Sequence, residues 1–378
     1  MIYLDNAATT PVNPQVAQTI SESLMNDFGN PSSLYSIGAR SEMAIDKARE
    51  SVAGCIGAKA SELYFTSCAS ESNNIAIYGL ALARRNWGKK IITTGYEHPA
   101  VRKPYELLQE MGFEMVEINP DKTGIVDENA IVDAVDSKTC LVTLIHVNNE
   151  TGAKLDIEKL TARIKEKNPR TAIHIDAVQS FMKYPLDVKK LKIESLSFSA
   201  HKINGPKGIG GLYLRSGTNI KPVFVGGGQE KGLRAGTENI HYIKGVAKAC
   251  ELLKPNIMAN LRHYAQLKAR LLEGLEQFDN VVINSPENAA PYTVNLSFTG
   301  YRSETLLHFL DSKGICVSSG SACSKGSRSH TLTVMKLSNE RIDSSLRVSF
   351  GVQNTESDVD ALIEALKEAK EKLQKVKR

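Results

Sequence analysis

The sequence predicts an α/β protein in two parts: a larger one built on a mostly parallel sheet and a smaller α+β one. Three observations predict it. The chain has 378 residues, more than a single hydrophobic core usually serves. Between about residues 60 and 215, short apolar runs alternate with longer segments of helical period, the pattern of parallel strands covered by helices on both faces. After residue 253 that alternation stops. The larger part is accordingly placed at 14–253, and the smaller at 1–13 together with 254–378.

The predicted strands of the larger part are "ELYFTS", "KKIITTG", "FEMVEI", "CLVTLIHV", "TAIHIDA", "SLSFSA" and "GGLYLR", rich in β-branched residues and bounded by turns. Between them lie the helical candidates "SNNIAIYGLALARRN", "HPAVRKPYELLQEMG" and "DIEKLTARIKEKNP". A sheet of this kind takes ligands at the carboxyl ends of its strands. In the smaller part, the long helical stretch "NLRHYAQLKARLLEGLEQF" precedes "VVIN", "YTVNLSF", the helix "SETLLHFLDSKG", "ICVSS", "LRVSFG" and a last helix starting at "ESDVDALIEAL". That last helix carries Val359, Leu362, Ile363, Leu366 and Ala369 on one stripe, with Thr355 and Asp358 spaced as a capping box.

Composition narrows the function. Hydrophobic residues make up 42% and charged residues 24%, the range of globular proteins. The net charge of +5 is spread along the chain without a basic, aromatic-interleaved stripe, which argues against direct nucleic-acid binding. The opening "MIYLDNAATTPVNP" lacks the basic start and apolar run of a secretory signal, and no segment is apolar for long enough to span a bilayer, so a cytoplasmic protein without membrane attachment is expected. The six cysteines show neither C-x-x-C pairs nor zinc spacing, and free thiols with no resident metal are expected.

Several polar residues stand where a predicted strand ends. Lys202 follows "SLSFSA" directly, positioned by a rigid element as covalent catalysis requires, whereas Lys207 follows Pro206 inside a turn. Asp176 ends "TAIHIDA"; a buried carboxylate needs a cation, and the pyridinium nitrogen of pyridoxal phosphate is one, a helix cap being the other use of an acid there. In "FTSCASESNN" a strand gives way to a helix whose N-terminus and Ser70 hydroxyl offer a cradle for a phosphate, an arrangement that many ordinary loops share. His98 and Asn149 occupy equivalent places after two more strands. Arg347 lies within a predicted strand, where an unpaired guanidinium is expensive, and should meet a carboxylate. The loop "SSGSACSKGSRSH", residues 318–330, is almost entirely small or polar, which predicts an exposed Cys323 whose thiolate is favoured by Lys325 and Arg328. Buried thiols are expected instead at Cys140 and Cys250. No Walker, dinucleotide or H-E-x-x-H motif is present, and the glycine-dense "GGGQEKGLRAGTEN" matches no nucleotide fingerprint.

Together with "YLDNAATT", "EHPAV", "HVNNETG", "HIDAVQS" and "GGGQEKGLRAGTEN", these blocks resemble, from end to end, a cysteine desulfurase of the class V aminotransferase family, in the group with the longer cysteine loop. The resemblance implies a fold-type I pyridoxal-phosphate-dependent transferase. It implies that Lys202 bonds to the cofactor and later takes the proton from the substrate Cα, that Asp176 holds the pyridinium nitrogen, Gln179 the phenolic oxygen, and that His98 stacks on the ring. Ala69, Ser70, Ser199 and His201 would contact the phosphate, joined by Thr237 of the partner in a homodimer whose active sites lie at the subunit interface. Asn149, beside the cofactor, and Arg347 would take the carboxylate of L-cysteine. Cys323 would accept the sulfur, pass it to an acceptor for iron–sulfur cluster assembly or tRNA thiolation, and offer a thiolate to a transient iron–sulfur cluster. Three positions depart from the family pattern: Cys68 for a usual glycine, Ser70 for a threonine and Thr151 for an aliphatic residue. A selenocysteine lyase or aminotransferase and a catalytically silent platform are the rival readings; "SSGSAC" argues against an aminotransferase, and intact Lys202, Asp176, Cys323 and Arg347 against the platform.

Overall fold

The structure is a computed structural model that describes residues 1–319 and 328–375. Its main sheet has seven strands in the order Leu63–Thr66, Gly210–Leu214, Ser195–Ser199, Ala172–Asp176, Thr139–Ile145, Lys90–Thr94 and Glu114–Ile118. Gly210–Leu214 is antiparallel to both neighbours, and the other four pairings are parallel. Every strand of this sheet falls on a run expected to form one. Four of them are buried along their whole length, as helices on both faces require.

The helices Ala69–Arg84, Pro99–Glu110 and Ile157–Lys167 sit where helical periodicity predicts them. Further helices, Pro14–Asn26, Ser36–Gly54 and Ile240–Leu253, join the same core through Val16, Ile45, Val52, Ile243 and Val246. The first begins as chemistry dictates: the Asn13 side chain accepts the Gln15 N–H, and Pro14 occupies the opening position, where no donor is needed.

A second core surrounds the antiparallel strands Ser345–Ser349, Thr293–Phe298 and Val281–Ile283, covered by Ile257–Leu275, Ser303–Ser312 and Glu356–Lys372. The N-terminal segment belongs to it, since Leu4 is buried there and accepts the Ser349 N–H at 2.7 Å. In the last helix the whole stripe from Val359 to Ala369 is buried as expected, and Asp358 accepts the Thr355 N–H at 2.9 Å. No helix among the described residues is long and apolar enough to cross a membrane.

Candidate active site

The parallel strands end on one side of the main sheet, and there a cavity of about 380 Å³ opens, in the usual size range for a cofactor site. Ala69, Ser70, His98, Asn149, Asp176, Gln179, Ser199, His201, Lys202 and Arg347 all line it. Lys202 is reached through a single turn, Ala200–Lys202, after the buried strand Ser195–Ser199. Its amine donates to the carbonyl oxygens of Ala7 and Ala8 at 2.5 and 2.7 Å. Lys207 is exposed and takes no part in the lining.

Asp176 is 2% exposed. Its carboxylate accepts the Val178 N–H at 3.0 Å and the Asn73 amide at 2.9 Å. Burial pushes its pKa up, while His98, those two hydrogen bonds and Lys202 pull the other way. His98 is both a cap and a cavity residue: its Nδ1 accepts the Ala100 N–H at 3.1 Å at the start of Pro99–Glu110. That bond puts the proton of the neutral ring on Nε2, and burial holds the ring below its ordinary pKa. His201 is pushed down to about 4 by burial and by nearby lysines. Gln179 donates to Ala7 O at 2.9 Å, which fixes the direction of its amide.

The expected phosphate cradle falls at the N-terminus of Ala69–Arg84. Its cap, Cys68, has no side-chain cap bond, so first-turn N–H groups remain for an anion. Gly210 backs this turn so closely that a Cβ there would lie 2.7 Å from the Cys68 carbonyl carbon. Opposite, Arg347 is buried within its strand and meets the expected carboxylate, Asp5, at 2.7 Å, with a second bond to Asn149 O at 3.0 Å. Its Nε has no hydrogen-bond partner among the described residues.

A ring-nitrogen partner, an amine, a helix N-terminus for a phosphate and a guanidinium for a carboxylate thus face one space, and this donor set fits pyridoxal phosphate. The Aminotransferase class-V family model matches residues 2–362. The chain is 42% identical over 375 residues to the cysteine desulfurase IscS of Methanosarcina thermophila, covering 98% of this chain and 92% of that one. The chain belongs to the cysteine desulfurases of the class V aminotransferase family. A solved NifS-like protein superposes with a TM-score of 0.93 at 36% identity, covering 98% of this chain and all of that one. A structure described as SspA in complex with cysteine does so at 0.82 and 34%, covering 93% and 99%. Enzymes of this family depend on pyridoxal phosphate, and the fold is the expected type I.

One expected site residue of this desulfurase, Thr237, lies apart from the others among the described residues. Thr237 lines a separate cavity of about 130 Å³ with Ser67, Gly208, Glu230 and Arg234. Cys323 and Lys325 lie outside the described residues. Arg328 lines the main cavity, but its guanidinium is committed to Asp343 through two bonds of 2.7 and 2.8 Å, so its charge is shared with that carboxylate rather than reserved for a thiolate. Cys140 and Cys250 are buried as expected, and Cys68 lines the cavity.

Other contributors escaped the sequence reading. Asp5, Ala7 and Ala8 arrive from the N-terminal segment, 172 or more residues from the site residues they touch. Asn73 lies on the helix behind the expected phosphate cradle, and the sequence places it only near the start of the helical candidate "SNNIAIYGLALARRN". Glu97 lines the cavity too, its Oε1 accepting the Thr94 hydroxyl at 2.5 Å and the Ile145 N–H at 2.8 Å. Burial pushes its pKa up to about 8, and its Oε2 is without a partner among the described residues. Glu150 anchors the far end of the cysteine loop, accepting the hydroxyls of Ser329 at 2.5 Å and Thr331 at 3.0 Å. The signal for Asp5 and Glu150 was present in the "YLDNAATT" and "HVNNETG" blocks, but no local pattern says whom an acid will meet.

Proposed function

We propose that the protein removes sulfur from L-cysteine, releasing L-alanine and leaving a persulfide on Cys323. The observation that carries this reading is the convergence of Lys202, Asp176 and Arg347 on a cavity at whose edge both ends of the cysteine loop are anchored: Ser318 pairs with Arg347, and Ser329 with Glu150. Cys323 is five residues from the first anchor and six from the second, within about 20 Å of each along an extended chain.

When bound, pyridoxal phosphate supplies an electron sink next to the substrate Cα. The residues of this chain do the rest. Asp176 would hold the ring nitrogen and favour its protonated form. The Ala69–Arg84 N-terminus, Ser70, Ser199 and His201 would hold the phosphate, Gln179 the phenolic oxygen, and Asn149 and Arg347 would orient the substrate carboxylate. Lys202 takes the Cα proton. His98, neutral with its hydrogen on Nε2, would cover the ring and could give that proton to the substrate Cβ once sulfur has left it. The Cys323 thiolate attacks the substrate Sγ; an S–S bond forms, the Cβ–S bond breaks, and the carbon skeleton leaves as alanine after protonation.

Thr237 points to a homodimer in this reading. The exposed apolar side chains Phe28, Leu34, Tyr35, Phe224 and Val225 supply surface for it, and Thr237 of each chain would complete the phosphate site of the other. The persulfide would go to a cytoplasmic iron–sulfur scaffold or tRNA-thiolation enzyme. The test is to incubate the protein with pyridoxal phosphate, L-cysteine and a thiol reductant and to quantify alanine and sulfide together. Equal yields are expected; alanine without sulfide, or neither product, refutes the reading.

A further inference from the structure

Four fully buried polar side chains lead to the Asp176 carboxylate. His174 and Asp176 are two residues apart on one strand, Ser195 and Ser197 two apart on the next, and the register pairs His174 with Ser195 and Asp176 with Ser197. The two-residue period therefore brings all four to one face of the sheet. Asn73, from the helix Ala69–Arg84, packs against that face. Ser195 Oγ lies 2.8 Å from His174 Nδ1, His174 Nε2 lies 2.9 Å from Asn73 Oδ1, Ser197 Oγ lies 2.5 Å from the same oxygen, and Asn73 Nδ2 donates to Asp176 Oδ2 at 2.9 Å.

The chemistry of the groups dictates every hydrogen in this chain. A carboxylate only accepts, so Asn73 presents its NH₂ to Asp176 and its oxygen to His174 and Ser197, which must both donate. His174 then carries its proton on Nε2 and accepts the Ser195 hydroxyl at Nδ1. Burial keeps that imidazole uncharged, with its pKa pushed down to about 3. All the donors are thus aligned toward one anion, as a buried carboxylate requires.

We propose that Asn73 is a positioning residue for Asp176: its amide, oriented by His174 and Ser197, keeps that carboxylate ionised and aimed into the cavity. The proposal rests on the cavity being the pyridoxal phosphate site, and it adds to that site a device no sequence motif announces. The other charged or titratable groups acting on Asp176 are His98 and Lys202, both of which favour its anion, and Glu97, whose ionisation would oppose it. A hydrogen bond to a buried charge corresponds to about one to two pH units in the carboxyl group's proton affinity.

The test uses reconstituted holoenzyme, with the visible absorbance of the bound cofactor followed against pH and the pyridoxal phosphate Kd measured on the acid and alkaline sides. In Asn73→Ala the acid transition should move upward by about one to two pH units, with cofactor affinity lowered roughly tenfold on the acid side. His174→Leu, which leaves the Asn73 amide free to turn, should move the transition the same way by a smaller amount. His174→Gln, whose amide N–H can replace the imidazole Nε2–H, should coincide with the wild type. Should Asn73→Ala fail to fold, the contrast between His174→Leu and His174→Gln decides. Acid transitions of Asn73→Ala and His174→Leu that coincide with the wild type overturn the proposal while leaving the functional reading intact; a wild-type protein that takes up no pyridoxal phosphate overturns both.

Discussion

In the proposed reading Lys202, Cys323 and Glu97 serve the site through different properties of a single side chain. Lys202 offers an amine held on two carbonyl oxygens by a rigid strand end, so Lys202→Ala should give a protein with no borohydride-trappable bond to pyridoxal phosphate; a trapped label on Lys207 would reverse the assignment. Cys323→Ser removes only the sulfur acceptor, so the cofactor colour should persist while sulfide release falls nearly to zero. Glu97 is a buried acid whose folded pKa of about 8 stands above the ordinary 4.5. Between those two pH values the unfolded chain has lost a proton that the folded chain keeps, so this group's contribution to stability is full below about pH 4.5 and declines as pH rises toward 8. Glu97→Gln mimics the protonated acid. Urea denaturation should find the variant the more stable by roughly 2–4 kcal/mol at pH 8, with the difference vanishing near pH 4.5.

At the level of elements, the cradle depends on contact between the antiparallel strand Gly210–Leu214 and the turn that opens the helix Ala69–Arg84. A methyl group at residue 210 would sit 2.7 Å from the Cys68 carbonyl carbon and 2.8 Å from the Phe198 oxygen, both backbone atoms that cannot rotate away. Gly210→Ala should therefore displace the helix N-terminus and weaken pyridoxal phosphate binding by about tenfold or more, since a 1.4 kcal/mol loss already amounts to that factor. Equilibrium dialysis against the wild type measures it. Cys68, the family's usual glycine position, is accommodated in the same turn because its backbone is extended, with φ −173° and ψ 169°, a conformation open to any residue. The departure noted in the sequence thus adds a thiol to the cavity wall without requiring left-handed backbone.

On the scale of the whole molecule, Thr237 and the exposed apolar side chains bear on assembly. If Thr237 serves the partner's phosphate site, mixing Lys202→Ala with Thr237→Ala subunits should restore activity, because one of the two sites in each mixed dimer would have both residues intact. Activity that stays at the sum of the parents after subunit exchange would exclude the shared site. Folding is also limited from the acid side: His146 and His174, both pushed down to about 3 by burial, stay neutral in the folded chain while the unfolded chain gains protons below about pH 6.5. Their contribution to stability is therefore lost as pH falls through that region.

The strands of the main sheet, the amphipathic last helix and the strand-end positions of His98, Asn149, Asp176 and Lys202 follow from local pattern: a strand must be apolar to lie under helices, and a polar residue just beyond it must emerge at its end. The helix Ser36–Gly54 escaped that reading because its inward face, Gly38, Ser41, Ile45, Ala48 and Val52, is built partly of small residues that give little apolar periodicity. The partners of the site residues were settled only by tertiary structure. Asp5 reaches Arg347 across 342 positions, Asn73 reaches Asp176 across 103, and Glu150 reaches Ser329 across 179. Local periodicity reports which way a side chain points relative to its own element, whereas the identity of the group it meets depends on how the layers stack, and that is set by the packing of the whole chain.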